Sequence, residues 1–561
     1  MSRFGFLFPG RTPGPALAGL LLSIHVVLGV HAAFRLSPVW DEIVNPAAGL
    51  LQWRTGRVDF NAEHPFLAKL ILSTPLVFSS VKLPPAPAVG GSENPYNFGF
   101  RFTYRQGNNP TAVVVLPRLA SLTCSVFLGV ALFLWGRRRW GDPRGLILLG
   151  LYLSVPVFRS RAGLALLEMP QLLFLGAGFA LWDIWKAEGR RWGFWGAAAC
   201  AAASLLCKSS SLAFWAGLAL TDLLSGEGPR RSRVTRGLMF FVSVALCVTA
   251  AYWFWSGGAH ALKTALLFPR QFGTTHNRFF FAGSTLVDAP SVLSWVAFAL
   301  KAPLAVSVVC FWGAGVWGLS PSQKALFWRA CGVVGGVFVA TLLVPVPVST
   351  VQMSSAYLGL IVLGAGGAPW EKIIGWRRGV YAFLGLATAA EVAVSHPNAS
   401  AYFNPLAGGA DRGAYWLADS DQDWGQGLPG LKKYLDRHGS PGLLLAYSGA
   451  ADPEAHGLNY QDVLSPALVS RFRKNVLIPE SQPRVFLALS TKVRQMEPGL
   501  GAWLDEQGIP KSIVDSCFHV YDVSARADAF AWLAEIYDQT RRPTEAAWAR
   551  ARARAAPKET L

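Results

Sequence analysis

The chain has 561 residues, 52% hydrophobic and 15% charged, with a net charge of +18 and a mean hydropathy of +0.33. That is too apolar for a soluble protein of this length and requires many membrane spans. The positive charge gathers at the ends of apolar runs, as cytoplasmic loops demand, and there is no basic stripe with interleaved aromatics, so nucleic acid is not the expected partner. A polyanionic lipid remains open as a substrate.

The first apolar run, residues 15–34, follows Arg3 and Arg11 and reads as an uncleaved first span. A loop rich in Pro, Asn, Gly and aromatics then reaches residue 110, and within it residues 66–81 form a short apolar stretch broken by Lys69 and Pro75. It is too short for a span and is expected to lie in the membrane interface. The second span, 112–135, stops at Arg137, Arg138 and Arg139, which places the N-terminus inside and the loop after the first span outside.

Further spans are expected at 146–158, in the run ending at Lys186, and as two short spans within 194–224 split by Lys208. Others follow at 238–255, at 292–319, as two within 331–366, and at 379–395. This makes a polytopic α-helical membrane protein of about eleven spans, with basic residues in every inside loop and the C-terminus outside. From 396 to 525 the composition becomes that of a soluble α/β domain. GLLLAYSG and RVFLALS read as buried strands, and LPGLKKYLDRHG as a helix closed by Gly439. Residues 526–561 read as a docked helical hairpin, with one tetratricopeptide-like unit as the alternative.

Cys124, Cys200, Cys207, Cys247, Cys310 and Cys331 lie in or beside apolar runs, and Cys517 is alone in the polar region, so neither a metal motif nor an internal disulfide is expected.

Acidic and basic groups collect just beyond the outer span ends, where they are costly unless they find partners or perform chemistry. Asp41 and Glu42 follow the first span, and a carboxylate there is suited to general-base work or to pairing with Arg35. Glu63, His64 and Lys69 suit either a phosphate or metal site or a polar helix cap. Arg159, Arg161 and Glu168 share one outer turn; the arginines can hold a phosphate bidentately, and Glu168 offers a second carboxylate or a span-end ion pair. His276 is on an outer loop, and Lys301 lies inside an apolar run, where a lipid phosphate is the expected partner. The stretch Asp419-Ser420-Asp421-Gln422-Asp423-Trp424-Gly425-Gln426 suits a sugar, through Asp419, Asp423 and Trp424, or a loop that docks the soluble domain.

With its acidic pair after the first span and then N-x-E-H-P-x-L-x-K, the chain resembles the protein O-mannosyltransferase-like membrane glycosyltransferases. These belong to the C-type superfamily that includes the lipid A aminoarabinose transferase. The likeness continues through RSRAGLALLEMP, HNRFFFAG, KAP and AYFNPLAGGADRGAYWLADSDQDWGQGLPGLKKYL, covering about residues 15–450. It departs where Phe66 follows Pro65, where Asp421 stands for Asn and Gly427 for Asp, and where VQMSSAY lacks a Gly-x-Arg-aromatic pattern.

The resemblance implies a polyprenyl-phosphate-linked sugar as donor and inverting transfer at the periplasmic face of a bacterial inner membrane. It makes Asp41 the catalytic base with Glu42 beside it, and Glu168 a further catalytic carboxylate. Glu63, His64, Lys69, Arg159, Arg161, His276 and Lys301 become donor contacts. A divalent metal ion, if used, would take Glu63 and His276. The acceptor is a glycan, lipid or protein. The alternatives are a lipid-linked saccharide flippase, which would carry internal repeats and mid-span charges, and an inactive membrane scaffold.

Overall fold

The computed structural model describes residues 13–88, 93–225, 229–274, 278–287, 290, 292–318, 323–343, 350–367, 376–465 and 473–556. Among the described residues, every segment expected to span a membrane is largely helical. In chain order the helices are α1 (Gly14–Arg35), α2 (Trp40–Thr55), α3 (Leu67–Val77), α4 (Pro95–Tyr104), α5 (Pro110–Trp140), α6 (Asp142–Ser154), α7 (Pro156–Gly163) and α8 (Glu168–Glu188). They continue as α9 (Arg191–Cys207), α10 (Ser211–Ser225), α11 (Arg230–Trp253) and α12 (Gly258–Thr274). After a hairpin of strands β1 (Arg278–Phe281) and β2 (Ser284–Val287) come α13 (Leu293–Lys301), α14 (Leu304–Gly318), α15 (Lys324–Leu343), α16 (Ala356–Gly367) and α17 (Trp376–Val394).

The architecture is that of an integral multi-pass membrane protein, although fewer helices than expected have full spanning length. Among the described residues four helices, α1, α5, α11 and α15, are long and apolar enough to cross a membrane, and counting two bent pairs as single spans makes six. The expected third span breaks by 66° between α6 and α7, and the eighth by 108° between α13 and α14. Pro156 and Pro303 sit at these breaks, where proline removes an amide donor and clashes with the preceding turn. Both breaks place charged side chains, Arg159, Arg161 and Lys301, beside the bend.

Residues 67–77 form a helix. This α3 packs against α2, α5 and α9, and Lys69 is buried. Close approach is possible because a Cβ on Gly49 of α2 would meet the Lys69 carbonyl at 2.1 Å. On the other side of α2, a Cβ on Gly99 of α4 would meet the Ile43 carbonyl at 2.2 Å.

Buried charges lie in two layers at opposite ends of the bundle. In one, Asp183 and Asp222 near the C-terminal ends of α8 and α10 receive Arg329 from the start of α15, Arg139 from the end of α5, and Lys186. Trp135 and Trp182 donate to the same carboxylates at 3.2 and 3.0 Å. This layer lies at the basic ends of the helices, the end assigned inside. The other layer lies at the far ends of α5, α8, α9 and α13 and holds the candidate site.

Beyond α17 the chain makes α18 (Gly409–Trp416), a 3₁₀ turn at Asp419–Asp421 and α19 (Leu428–Arg437) before entering a five-stranded sheet. Its strands are β3 (Gly442–Ala446), β4 (Gln461–Asp462), β5 (Val485–Ser490), β6 (Lys511–Val514) and β7 (Phe518–Asp522), in the order β4-β3-β5-β7-β6. β3 is parallel to β4 and β5, while β7 runs antiparallel to β5 and β6. The β5 burial is unbroken because both faces are covered. One face packs on Leu428, Leu431 and Leu435 of α19. The other packs on Phe530, Leu533, Tyr537 and Trp548 of the C-terminal hairpin, helices Ala527–Gln539 and Pro543–Ala555. The hairpin is therefore one layer of the α/β domain, and no boundary at 525 divides the core.

Candidate active site

The segment between α1 and α2 folds against the turn between α7 and α8 because one buried ion pair ties them. Glu42, in the first turn of α2, accepts from Arg118 of α5 through Nε at 2.7 Å and Nη2 at 2.6 Å, with the two side chains 1% and 0% exposed. Arg118 also donates to the carbonyls of Ala33, Leu36 and Ser37. The Glu42 carboxylate accepts in addition from the backbone amides of Val39 and Ala165. Its carboxylate is engaged within the protein by four donors, which suits a role in holding the site's frame. Arg118 was missed in the sequence, although an arginine in the apolar run VVVLPRLASL was the signal for it.

Asp41 is beside this pair but only half buried, and Lys69 lies within its electrostatic reach. Lys69 does not face an open site: its ammonium donates to the carbonyls of Asn61 and, at 2.9 Å, His64, and so shapes the turn that carries Glu63 and His64. Glu63 is exposed. The imidazole of His64 is pushed down to about 3 by burial and by the neighbouring cations Lys208 and Lys69. It is therefore neutral at physiological pH, a ligand or acceptor rather than a cation for a phosphate.

Glu168 is also committed. It begins α8 and accepts from Lys208, which follows α9, at 2.6 Å, with both side chains 9% exposed. In the sequence Lys208 served only to divide two apolar runs. Arg159 turns away from the cluster and donates to Val392 at 3.1 Å and Ser395 Oγ at 2.5 Å at the end of α17. It caps the Val392 carbonyl there, while its Nε has no hydrogen-bond partner among the described residues.

Arg161 is different. It is 2% exposed, yet its Nε and Nη1 have no hydrogen-bond partner among the described residues. Its guanidinium lies 5.9 Å from the centroid of the Trp424 ring. Trp424 itself packs beside Val39, Leu164 and Leu166. Arg161 and Lys301 line one small cleft with Ser160, Thr350, Tyr357 and Asp421. Lys301, held at the break after α13, donates to the carbonyls of Ser400, at 2.5 Å, and Asp421, and lies 4.5 Å from the Phe403 ring centroid. The Asp421 carboxylate accepts from the Thr350 amide at 3.0 Å and from its hydroxyl. Two buried cations thus share a cleft, one of them with hydrogen-bonding capacity unused.

The acidic loop takes the docking role. Asp421, Gln422, Asp423 and Gln426 are at most 1% exposed. Ser37 Oγ donates to the Gly425 carbonyl at 2.8 Å, which joins the end of α1 to the α/β domain. Asp423 accepts from the amides of Gly425 at 3.0 Å and Lys492 at 3.1 Å, and burial raises its carboxyl to about 6. It cannot meet a sugar. The side chain of Asp419, and His276 altogether, lie outside the described residues. Among the described residues no three His, Cys, Asp or Glu side chains converge as a metal site. Of the expected pair, only Glu63 is among the described residues.

The fold and site together define a membrane-embedded helical protein whose buried cationic cleft lies where an α/β domain docks. No family model matches the chain, and no curated protein matches it. Among solved structures it is similar to ArnT from Cupriavidus metallidurans in the apo state, at 12% identity and a TM-score of 0.48, over 91% of this chain and 98% of that one. The same protein bound to undecaprenyl phosphate gives 11%, 0.49, 92% and 99%. At that overlap these likenesses assign no residue a role.

Proposed function

We propose that the protein is a glycosyltransferase that moves a sugar from a polyprenyl-phosphate-linked donor to an acceptor on the outer, periplasmic face of a bacterial inner membrane. The observation that carries this reading is the buried guanidinium of Arg161 with unused donors beside Lys301. Arg161 lies within electrostatic reach of Glu168, but two of its buried donors have no hydrogen-bond partner among the described residues, and such donors favour a ligand that accepts from them. A lipid-linked phosphate supplies such an acceptor at this depth.

The bond changes follow. The acceptor oxygen forms a bond to the anomeric carbon while the bond from that carbon to the phosphate oxygen breaks. Attack from the opposite side inverts the centre. The acceptor proton passes to Asp41, and the polyprenyl phosphate leaves with its charge met by Arg161 and Lys301. Asp41 is assigned the base on the resemblance, and its partial exposure is compatible with that role. His64, neutral, lines the same face.

The test is donor consumption by purified protein in nanodiscs with a panel of polyprenyl-phosphate sugars. Asp41→Asn is expected to lower turnover by about 10²–10⁴-fold, the usual worth of a general base, and to leave donor binding intact. Arg161→Met is expected to weaken donor binding while the protein melts no lower than wild type, since buried donors without partners have been removed. Full transfer by Asp41→Asn would sink the assignment of the base. Undiminished donor binding by Arg161→Met would sink the phosphate site.

A further inference from the structure

A second, larger cavity lies outside this site and is not used by it. It has a volume of about 760 Å³, within the range of ligand pockets. One wall is α18 and the turn before it, with the β1–β2 hairpin tied on by Gly283 N donating to the Tyr415 carbonyl at 2.8 Å. Gly283, at φ +80°, makes this approach possible, for a Cβ there would meet the Tyr415 ring at 2.8 Å. The other wall is the α/β domain: helices Thr491–Met496 and Pro498–Glu506, and strands β6 and β7.

The cavity's chemistry is mixed in a particular way. Tyr415 presents its ring at 55% exposure. Two deeply buried polar side chains line the cavity with unused atoms: His519, 3% exposed, has no partner for Nδ1, and Gln495, 5% exposed, has none for Oε1, among the described residues. Gln495 is aimed by its amide, which donates to the carbonyls of Ala414 and, at 2.8 Å, Leu417. Around the rim, Asp411 and Asp505 nearly balance Arg412, Arg494 and Lys511. A phosphate or an anionic lipid headgroup would want concentrated positive charge. A neutral molecule that both donates and accepts, and that has flat apolar faces, fits better. Sugars have that character: hydroxyls for planar polar side chains and C–H faces for aromatic rings.

The position adds a reason. The wall of the cavity runs directly into the donor cleft. Asn404, at its start, accepts no freedom from α13: its side chain donates to Ala299 at 2.7 Å and Ala302 at 3.1 Å, bracketing Lys301. At its other end, α18 leads into the Asp419–Asp421 turn, whose Asp421 carbonyl receives Lys301.

We propose that this cavity holds a carbohydrate chain, the acceptor of the transfer reaction, with one ring against Tyr415 and hydroxyls on Gln495, His519 and Arg412. Only the word acceptor rests on the transferase reading.

The experiment applies full-length protein in nanodiscs to an array printed with bacterial polysaccharides and oligosaccharides, with denatured casein peptides as the polypeptide probe. The best-retained glycan is then titrated. Wild type is expected to retain at least one glycan, and Tyr415→Ala to bind it about ten-fold more weakly. Ile513→Trp, at a 39% exposed position on the cavity wall, is expected to obstruct it without touching the core. The proposal is overturned if wild type retains no glycan, if both variants bind as wild type does, or if casein peptides are retained instead. Donor consumption is measured on the same preparations. Glycan retention without donor consumption removes the transferase reading and leaves the cavity's ligand standing. Donor consumption without glycan retention does the reverse.

Discussion

Replacing Glu42 by Gln isolates its structural role from any chemical one. Glu42 and Arg118 are fully buried, so solvent screens nothing, and the pair is joined by two charge-assisted bonds of 2.7 and 2.6 Å. Glutamine keeps the shape and removes the charge, which leaves Arg118 in a dry site with three carbonyls but no anion. Breaking one partner of a buried pair costs about 3–5 kcal/mol, while replacing both by apolar groups costs far less. Glu42→Gln should therefore lose about 3–5 kcal/mol, and the double variant Glu42→Leu/Arg118→Met should recover a good part of it. Thermal unfolding of all variants in one detergent, read by intrinsic fluorescence, supplies the ranking. Donor consumption is then measured well below each melting point, and the Glu42→Gln protein should retain turnover when corrected for its folded fraction. A variant that melts with wild type but has lost turnover would refute this reasoning and make Glu42 a chemical participant.

The α/β domain carries two opposed pH dependences. Asp423 has its folded pKa raised to about 6, above the ordinary unfolded value, so the folded state binds the extra proton. Its contribution is present at low pH and is lost as pH rises toward 6; Asp423→Asn should flatten the melting profile between about pH 4 and 6. His519 is lowered to about 3 by burial and by Arg494 and Lys511, so it favours the fold above its unfolded pKa and loses that contribution as pH falls from about 6.5 toward 3. His519→Gln should remove this acid sensitivity, and a profile identical to wild type would reject the assignment. Phe530 is fully buried against the sheet and Trp548, so Phe530→Ala should cost about 3–5 kcal/mol and open the α/β domain to limited proteolysis. Protease resistance equal to wild type would mean that the hairpin is dispensable.

The sequence by itself determined the class of the molecule. Long apolar runs closed by arginines are local facts, so the helices α1, α5, α11 and α15 and the strands at GLLLAYSG and RVFLALS were legible from composition and spacing, whereas the breaks at Pro156 and Pro303 were not. The set of charged residues near the outer ends was legible too, because charge in an apolar chain is conspicuous wherever it falls. Only the tertiary structure decided what each charge does. Glu42 and Arg118 are 76 positions apart, Glu168 and Lys208 are 40 apart, and Lys301 reaches Asp421 across 120. No periodicity relates such positions, since helix packing in three dimensions chooses the partners. Partner choice then divides residues of one chemical type into different roles. Arg159 closes a helix end, Arg118 secures a carboxylate, and Arg161 leaves Nε and Nη1 without a hydrogen-bond partner among the described residues. The cavity at Tyr415 was hidden for the same reason: its walls come from α18, the β1–β2 hairpin and the far edge of a sheet, elements that meet only once the α/β domain has docked.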